Sequence, residues 1–303
     1  MLFRSSTSEA YSAVFRLIAN PDSVLLAPRP GYPLLDYLAG LHDLHLEPYP
    51  LRYEGDWKID SGELQKKIER GPSALLLVHP HHPTGNFVSE SERSEILKLC
   101  AAGPLPLLCD EVFLDYPLET GGGPASFASE KNAFCFTLSG LSKILGLPQM
   151  KLSWIVLNGP EELRQEAARR LEVILDTYLS VATPVQHALP DWRRLQKEIQ
   201  NEIRQRLLKN FESLKERLAK TENLRLLRPQ GGWVAVLEIL CEENEEGCAT
   251  ALLEKDHVMV YPGYFFDFEE GRHLILSLLP PPAVFEEGLD RLCRRFVKGA
   301  WPC

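Results

Sequence analysis

Short runs that are apolar at nearly every position recur through the first half of the chain. They restrict its fold more than any other feature. Residues 24–27 (VLLA), 44–49, 74–78 (ALLLV), 105–109, 133–138 and 154–157 each predict a strand. A strand with one wet face alternates polar and apolar residues, whereas a run that is apolar throughout belongs to a strand covered on both faces. Stretches with helical spacing, such as 61–70 and 89–101, lie between these runs. The alternation predicts an α/β fold, a mainly parallel sheet sandwiched by helices.

The pattern changes after Gly159. Residues 161–179 predict a helix, and SVATPVQHALP then breaks the period with two prolines. A long helix is expected next, its apolar stripe formed by Trp192, Leu195, Ile199, Ile203, Leu207, Phe211, Leu214 and Leu218. At ~1.5 Å per residue it would span roughly 45 Å, enough to link two domains. Strands at 224–240, 258–261 and 273–278 and a closing amphipathic helix at 283–298 predict a smaller α+β domain. The expected division is a large domain over 1–188 and a small one over 189–303, with the long helix opening the second.

Thirty-three Lys and Arg against 42 Asp and Glu give a net charge of −9, with no extended basic run. Sequence-independent binding to nucleic-acid backbones needs a positive surface and is excluded on that basis. No apolar run approaches the ~18 residues that a membrane-spanning helix requires. The opening MLFRSSTSEAYS has no apolar core of a signal peptide. The seven cysteines include no CxxC pair, and several sit inside apolar runs. Reduced, buried thiols in a cytoplasmic protein are the expectation.

In open α/β sheets, ligands bind beyond the carboxyl ends of the strands, and the unusual residues of this chain fall there. His79-Pro80-His81-His82-Pro83-Thr84-Gly85 follows ALLLV. Asp110-Glu111-Val112-Phe113 follows PLLC, and Ser139-Gly140-Leu141-Ser142-Lys143 follows AFCFTL. A carboxylate, a lysine and a polar turn can therefore meet in one crevice. Ser6-Thr7-Ser8-Glu9 has the form of a helix-opening capping box. A metal site is the competing reading of His79, His81 and His82 beside Asp110, although no second His/Cys cluster completes it.

These segments resemble those of the class I/II aminotransferases, enzymes of fold type I that use pyridoxal 5′-phosphate (PLP). Members carry an Asn-Pro-Asn-Asn-Pro-Thr-Gly-like turn, an Asp-Glu-Val-Tyr/Phe strand end and a Ser-Lys turn. A Gly-Leu-Pro stretch and a basic residue then follow, matched here by Gly146-Leu147-Pro148 and Lys151. Four such motifs in order carry far more weight than one. The resemblance implies that Lys143 is the Schiff-base lysine and proton shuttle, that Asp110 faces the pyridine nitrogen, and that Tyr32 stacks on the ring. These three form the expected catalytic set. Ser6 and Thr7 would hold the phosphate at a helix N-terminus. Lys151, where the family usually has Arg, would add charge without a bidentate fork. Ser139 and Ser142 are expected as further hydroxyl contacts. The implied partners are an amino acid and a 2-oxo acid, in a homodimer.

The chain departs from its family at several points. His82 stands where an asparagine usually contacts the cofactor's 3-oxygen, and Phe113 where many relatives have a tyrosine with the same task. Ile275, in His273-Leu274-Ile275-Leu276-Ser277, takes the place of the arginine that grips a substrate carboxylate. Arg272, three residues away, is expected on the opposite face. Relatives also carry more chain ahead of the phosphate turn. The sequence is therefore expected to be truncated at its N-terminus, to lack most of the first strand, and to transfer amino groups poorly. A PLP-dependent lyase or decarboxylase, and a catalytically impaired PLP-binding paralogue, remain as alternatives.

Overall fold

The computed structural model describes residues 1–103, 105–119 and 125–297. Its elements run β1 (Leu2–Arg4), α1 (Thr7–Ile18), β2 (Val24–Arg29), α2 (Leu34–Gly40), β3 (His45–Tyr53), β4 (Trp57–Ile59), α3 (Ser61–Ile68) and β5 (Ala74–Val78). Then follow α4 (Glu90–Ala102), β6 (Leu107–Asp110), β7 (Cys135–Gly140), α5 (Leu141–Ile144), β8 (Ser153–Asn158) and α6 (Glu161–Asp176). The last part holds α7 (Thr183–Leu218), β9 (Leu224–Leu227), β10 (Val234–Ile239), α8 (Glu245–Asp256), β11 (Tyr261–Pro262), β12 (His273–Ser277) and α9 (Pro282–Arg295).

The large sheet has the order β1-β8-β7-β6-β5-β2-β3-β4. Its centre, from β7 to β3, is parallel, while β1, β8 and β4 join antiparallel at the two sides. Every residue of β5, β6 and β7 is buried, because both sheet faces are covered. Leu25, Ala27, Leu76, Leu108, Phe136, Leu138 and Ile155 pack against α1, α2 and α6 on one face. Leu26, Leu75, Leu77, Cys109 and Cys135 face α3, α4 and the small sheet on the other. Burying one such Leu or Phe side chain contributes about 1.5–3 kcal/mol before the cost of ordering the chain.

The small sheet, β11-β12-β10-β9, is antiparallel. Its other face closes over α8, α9 and the second half of α7, with Leu207, Phe211, Leu214 and Leu218 in that core. The α/β expectation with a smaller α+β part agrees with this architecture.

Several local expectations need correction. The break is shorter than expected: helix α6 ends at Asp176, only residues 177–182 are non-helical, and α7 begins at Thr183 and continues through Pro190. Pro184 lies in its first turn, where the backbone N–H has no intrahelical partner to lose. The 36-residue helix therefore crosses the expected 188/189 division. The predicted strand at 224–240 is two strands separated by Arg228-Pro229-Gln230-Gly231-Gly232-Trp233, and that at 258–261 shrinks to Tyr261–Pro262. The first strand is present in short form, as Leu2–Arg4 pairs with β8. The expected last helical residue, Lys298, lies outside the described residues, as does Cys303. The other six cysteines are unpaired thiols, four of them buried. Among the described residues no helix is long and apolar enough to cross a membrane.

Candidate active site

Register brings the motif segments to one edge of the large sheet. Ser153 at the start of β8 pairs with both Gly140, the last residue of β7, and Arg4, the last of β1. The Ser153 hydroxyl donates to the Arg4 carbonyl over 3.3 Å. Because β8 runs opposite to its neighbours, the segment before it, with Lys151, lies at the same edge as Ser5-Ser6 and the Lys143 turn. The two inner strands approach closely there, and a Cβ on Gly140 would stand 2.8 Å from that of Ser153. Asp110 and His79 leave the same edge from β6 and β5, joined by a bond of 2.7 Å from the His79 N–H to the Asp110 carbonyl.

Asp110 is 7% exposed. Its Oδ1 accepts from the Val112 backbone N–H at 3.0 Å, and its Oδ2 accepts from the Tyr11 hydroxyl at 3.0 Å. Burial pushes its carboxyl up to about 6; the two donors and the Lys143 charge pull it back. Lys143 is half-buried, and burial lowers its ammonium from the ordinary value against the opposing pull of Asp110. Its Nζ lies 5.5 Å from the centre of the Phe113 ring and 5.2 Å from that of Trp233, within cation–π range. The Tyr116 hydroxyl donates to the Lys143 carbonyl at 2.6 Å and that of Ile144 at 3.1 Å, fixing the one-turn α5 from below.

An aromatic wall surrounds the amine. His82 stacks on Phe113 with ring centres 5.8 Å apart and meets Tyr32 and Phe266 edge-on at 5.8 and 5.5 Å. Tyr32 is 37% exposed; burial of its hydroxyl end, and then the Asp110 charge, raise its phenol. The Gly31 N–H donates 2.8 Å to the Phe266 carbonyl, tying this loop to the small-sheet unit. Gly85 has φ +75°, and its carbonyl accepts from the Gln230 and Gly231 N–H groups; a Cβ there would stand 2.7 Å from the Gly231 oxygen.

At the N-terminus of α1, the Ser6 Oγ accepts from the Glu9 N–H at 3.1 Å. The reciprocal arm of the expected box is shifted by one residue. The Glu9 carboxylate accepts from the Ser5 N–H at 3.0 Å and from the Ser5 hydroxyl. Thr7 is the first helical residue. Ser139 is buried, with its Oγ 3.5 Å from the Glu111 carbonyl. Ser142 is half-buried, and Lys151 is exposed on a left-handed backbone at φ 50°. Lys143, Phe113, His82 and Tyr32 thus follow one another in ring contacts, with Asp110 near enough for its charge to act on Lys143 and Tyr32, whereas Ser6, Thr7 and Lys151 share only the edge. Tyr11, Tyr116, Trp233 and Phe266 were not read from the sequence. Aromatic residues in apolar surroundings signal core, and only long-range pairing turns them toward this site.

The other histidines serve the turn. His79 Nδ1 accepts from the Val88 N–H, and its ring lies edge-on to Phe87 and Phe127. His81 Nδ1 donates 2.7 Å to the Thr84 Oγ1, which donates in turn to Asn86 Oδ1. No group of three or more His, Cys, Asp or Glu among the described residues is placed to hold a metal ion. Burial depresses His79 and His81 to about 3 and His82 to about 4, with the nearby Arg93, Arg29 and Lys143 charges adding to the effect.

These shifts carry a pH signature. An unfolded histidine takes a proton near pH 6.5, but these three resist it when folded. Their stabilising contribution is complete above about pH 6.5 and falls as pH drops toward 4. Asp110 and Glu111, raised to about 6 and about 7, act in the opposite direction, so comparison with a variant isolates the histidine effect. His81→Asn is expected to flatten the loss of stability between pH 7 and 5 by about 2 kcal/mol relative to the parent. Urea unfolding at several pH values reads this difference.

The model of the family "Aminotransferase class I and II" matches residues 1–296. An S-alkyl-thiohydroximate lyase of Arabidopsis thaliana is 28% identical over 60% of this chain and 40% of its own length. Tyrosine aminotransferase of Mus musculus is 23% identical over 100% of this chain and 68% of its own. The solved alanine aminotransferase from Pyrococcus furiosus superposes with a TM-score of 0.90 at 23% identity, over 97% of this chain and 75% of that one. The family match runs through both sheets and the crevice between them, and the chain belongs to the class I and II aminotransferase family.

Proposed function

We propose that the protein is a PLP-dependent aminotransferase moving an amino group between an amino acid and a 2-oxo acid, with Lys143 as its covalent anchor for the cofactor. The observation that carries this reading is the convergence of a buried, doubly hydrogen-bonded carboxylate and a partly desolvated amine at one sheet edge. The donor set fits such a group. Asp110 has only neutral hydrogen-bond donors and so suits a cationic ring nitrogen, while the rings of Tyr32, His82 and Phe113 offer flat apolar faces. Bound PLP supplies an electrophilic aldehyde and a ring that withdraws electrons from a substrate carbon.

The chain's own residues do the rest. Desolvation lowers the proton affinity of Lys143, which favours a nucleophilic amine and a base able to move a proton at the substrate α-carbon. Tyr116 fixes the lysine's backbone. Ser6, Thr7, Ser139, Ser142 and Lys151 are proposed around the phosphate, and His82 beside the ring oxygen, where a neutral imidazole still donates one N–H. Ile275 is 1% exposed in the apolar cluster with Val236 and Phe266, and offers a carboxylate neither charge nor hydrogen bond. The family resemblance supports a homodimer, and the cysteine pattern a cytoplasmic setting.

The full chain with PLP, given single amino acids without an acceptor, should convert at least one donor to its 2-oxo acid in an amount matching the chain. Bound chromophore with no donor converted across the panel refutes aminotransfer. A lyase reaction is the second reading, favoured by the 28% identity to the S-alkyl-thiohydroximate lyase. Release of ammonia together with a thiol from an S-substituted donor would identify it.

A further inference from the structure

The least expected polar contact at the site comes from the second turn of the helix opened by Ser6. Tyr11 lies on α1, 2% exposed, among Ala10, Val14 and Phe15 on the face turned to the sheet. A residue there needs only an apolar side chain, yet this one carries a hydroxyl that reaches Asp110 across 99 positions of sequence. We propose that Tyr11 is a positioning residue for amino transfer, its phenol holding the Asp110 carboxylate in the ionised form that a cationic ring nitrogen requires. This rests on the assignment of Asp110 made above.

The chemistry of the contact is one-directional. A phenol donates best to an anionic oxygen, so the bond favours carboxylate over carboxylic acid. Tyr11 is itself raised well above the ordinary tyrosine range, first by burial and then by the Asp110 charge, and remains a donor throughout the working range. Among the described residues Asp110 has no ion pair within salt-bridge distance; its carboxylate partners are the Tyr11 hydroxyl and the Val112 N–H. Besides Tyr11, the titratable groups near it are Tyr32 ahead of α2, Lys143 on α5, Cys109 on its own strand and Glu111 just after it. Tyr32 and Cys109 are raised and stay neutral. The Glu111 carboxylate turns away to the Ser126 hydroxyl and the Phe127 N–H. Oδ1 is already occupied by Val112, so loss of the phenol leaves Oδ2 buried without a donor.

The test measures PLP retention by the full chain in equilibrium dialysis from pH 5 to 9. It compares the parent, Tyr11→Phe, Asp110→Asn, and a chain with 3-fluorotyrosine placed at position 11 alone. kcat/KM is followed over the same range. The parent should lose cofactor on the acid side with a definite midpoint. Tyr11→Phe should move that midpoint upward by about one to two pH units, the size expected for one lost hydrogen bond to a charged group. Fluorotyrosine, a stronger donor of the same shape, should move it downward. Asp110→Asn should bind weakly with no such midpoint. A Tyr11→Phe midpoint that coincides with the parent's, while Asp110→Asn has none, overturns the role of Tyr11 alone. A parent-like midpoint and affinity in Asp110→Asn overturns the Asp110 assignment and this inference together. Should Tyr11→Phe not fold, an unmoved midpoint in the fluorotyrosine chain overturns the proposal.

Discussion

Lys143→Ala should lower amino-group transfer by about four orders of magnitude, the upper end of what a positioned proton-transfer group contributes, and should abolish covalent retention of PLP. The expectation follows from the surroundings of the amine. Half-burial and the faces of Phe113 and Trp233 hold Nζ near Asp110, in a setting that lowers its proton affinity. Alanine leaves the backbone bonds from Tyr116 to the Lys143 and Ile144 carbonyls in place, so the turn persists while the chemistry goes. Borohydride reduction of the parent with PLP, followed by peptide mapping, should place the pyridoxyl mass on Lys143. A label on another lysine would dismiss the assignment, as would rapid single-turnover transfer by the alanine variant.

Asp110→Ala is expected to slow transfer by about 10²–10⁴-fold, with part of the cofactor still bound. Here the loss is electrostatic. The neighbouring Glu111 cannot take over, because its oxygens are engaged by Ser126 and Phe127. The alanine variant also leaves the Tyr11 hydroxyl buried without an acceptor, which costs about 1–3 kcal/mol of stability. Single-turnover rates together with a thermal melt separate the two effects. A melt shifted with rates near the parent's would show that Asp110 supports the fold and not the reaction.

The strand ends were legible in the sequence because their cause is local. Short, wholly apolar runs such as ALLLV and PLLC suit strands buried on both faces, and the polar residues that follow them emerge at one edge. The strand-end segments holding Lys143, Asp110, Phe113 and His82 were therefore legible from the sequence, and the roles proposed for them come from the family resemblance. Tyr11 and Tyr116 were not, because a buried tyrosine carries no sequence mark of the group its hydroxyl will meet. The start of α7 was misplaced for a related reason. Proline disfavours a helix interior on average, but at Pro184 the missing donor is one the first turn does not use. Ile275 was legible as a departure from the family, and its surroundings were not. Only the pairing of β12 with β10 and β11 puts it inside the apolar layer between the two sheets.

Helix α7 carries a consequence for how the molecule comes apart. Val185, Leu189, Trp192 and Ile199 pack on the cluster formed by Leu141, Ile144 and Leu145 around the lysine turn. Leu207, Phe211, Leu214 and Leu218, farther along the same rod, lie in the core of the small sheet. One continuous helix is thus a shared beam of both cores, and neither can melt without withdrawing support from the other. The two units are welded into one cooperative block, and a disturbance in the small-sheet core is transmitted along the beam to the floor beneath the reactive amine.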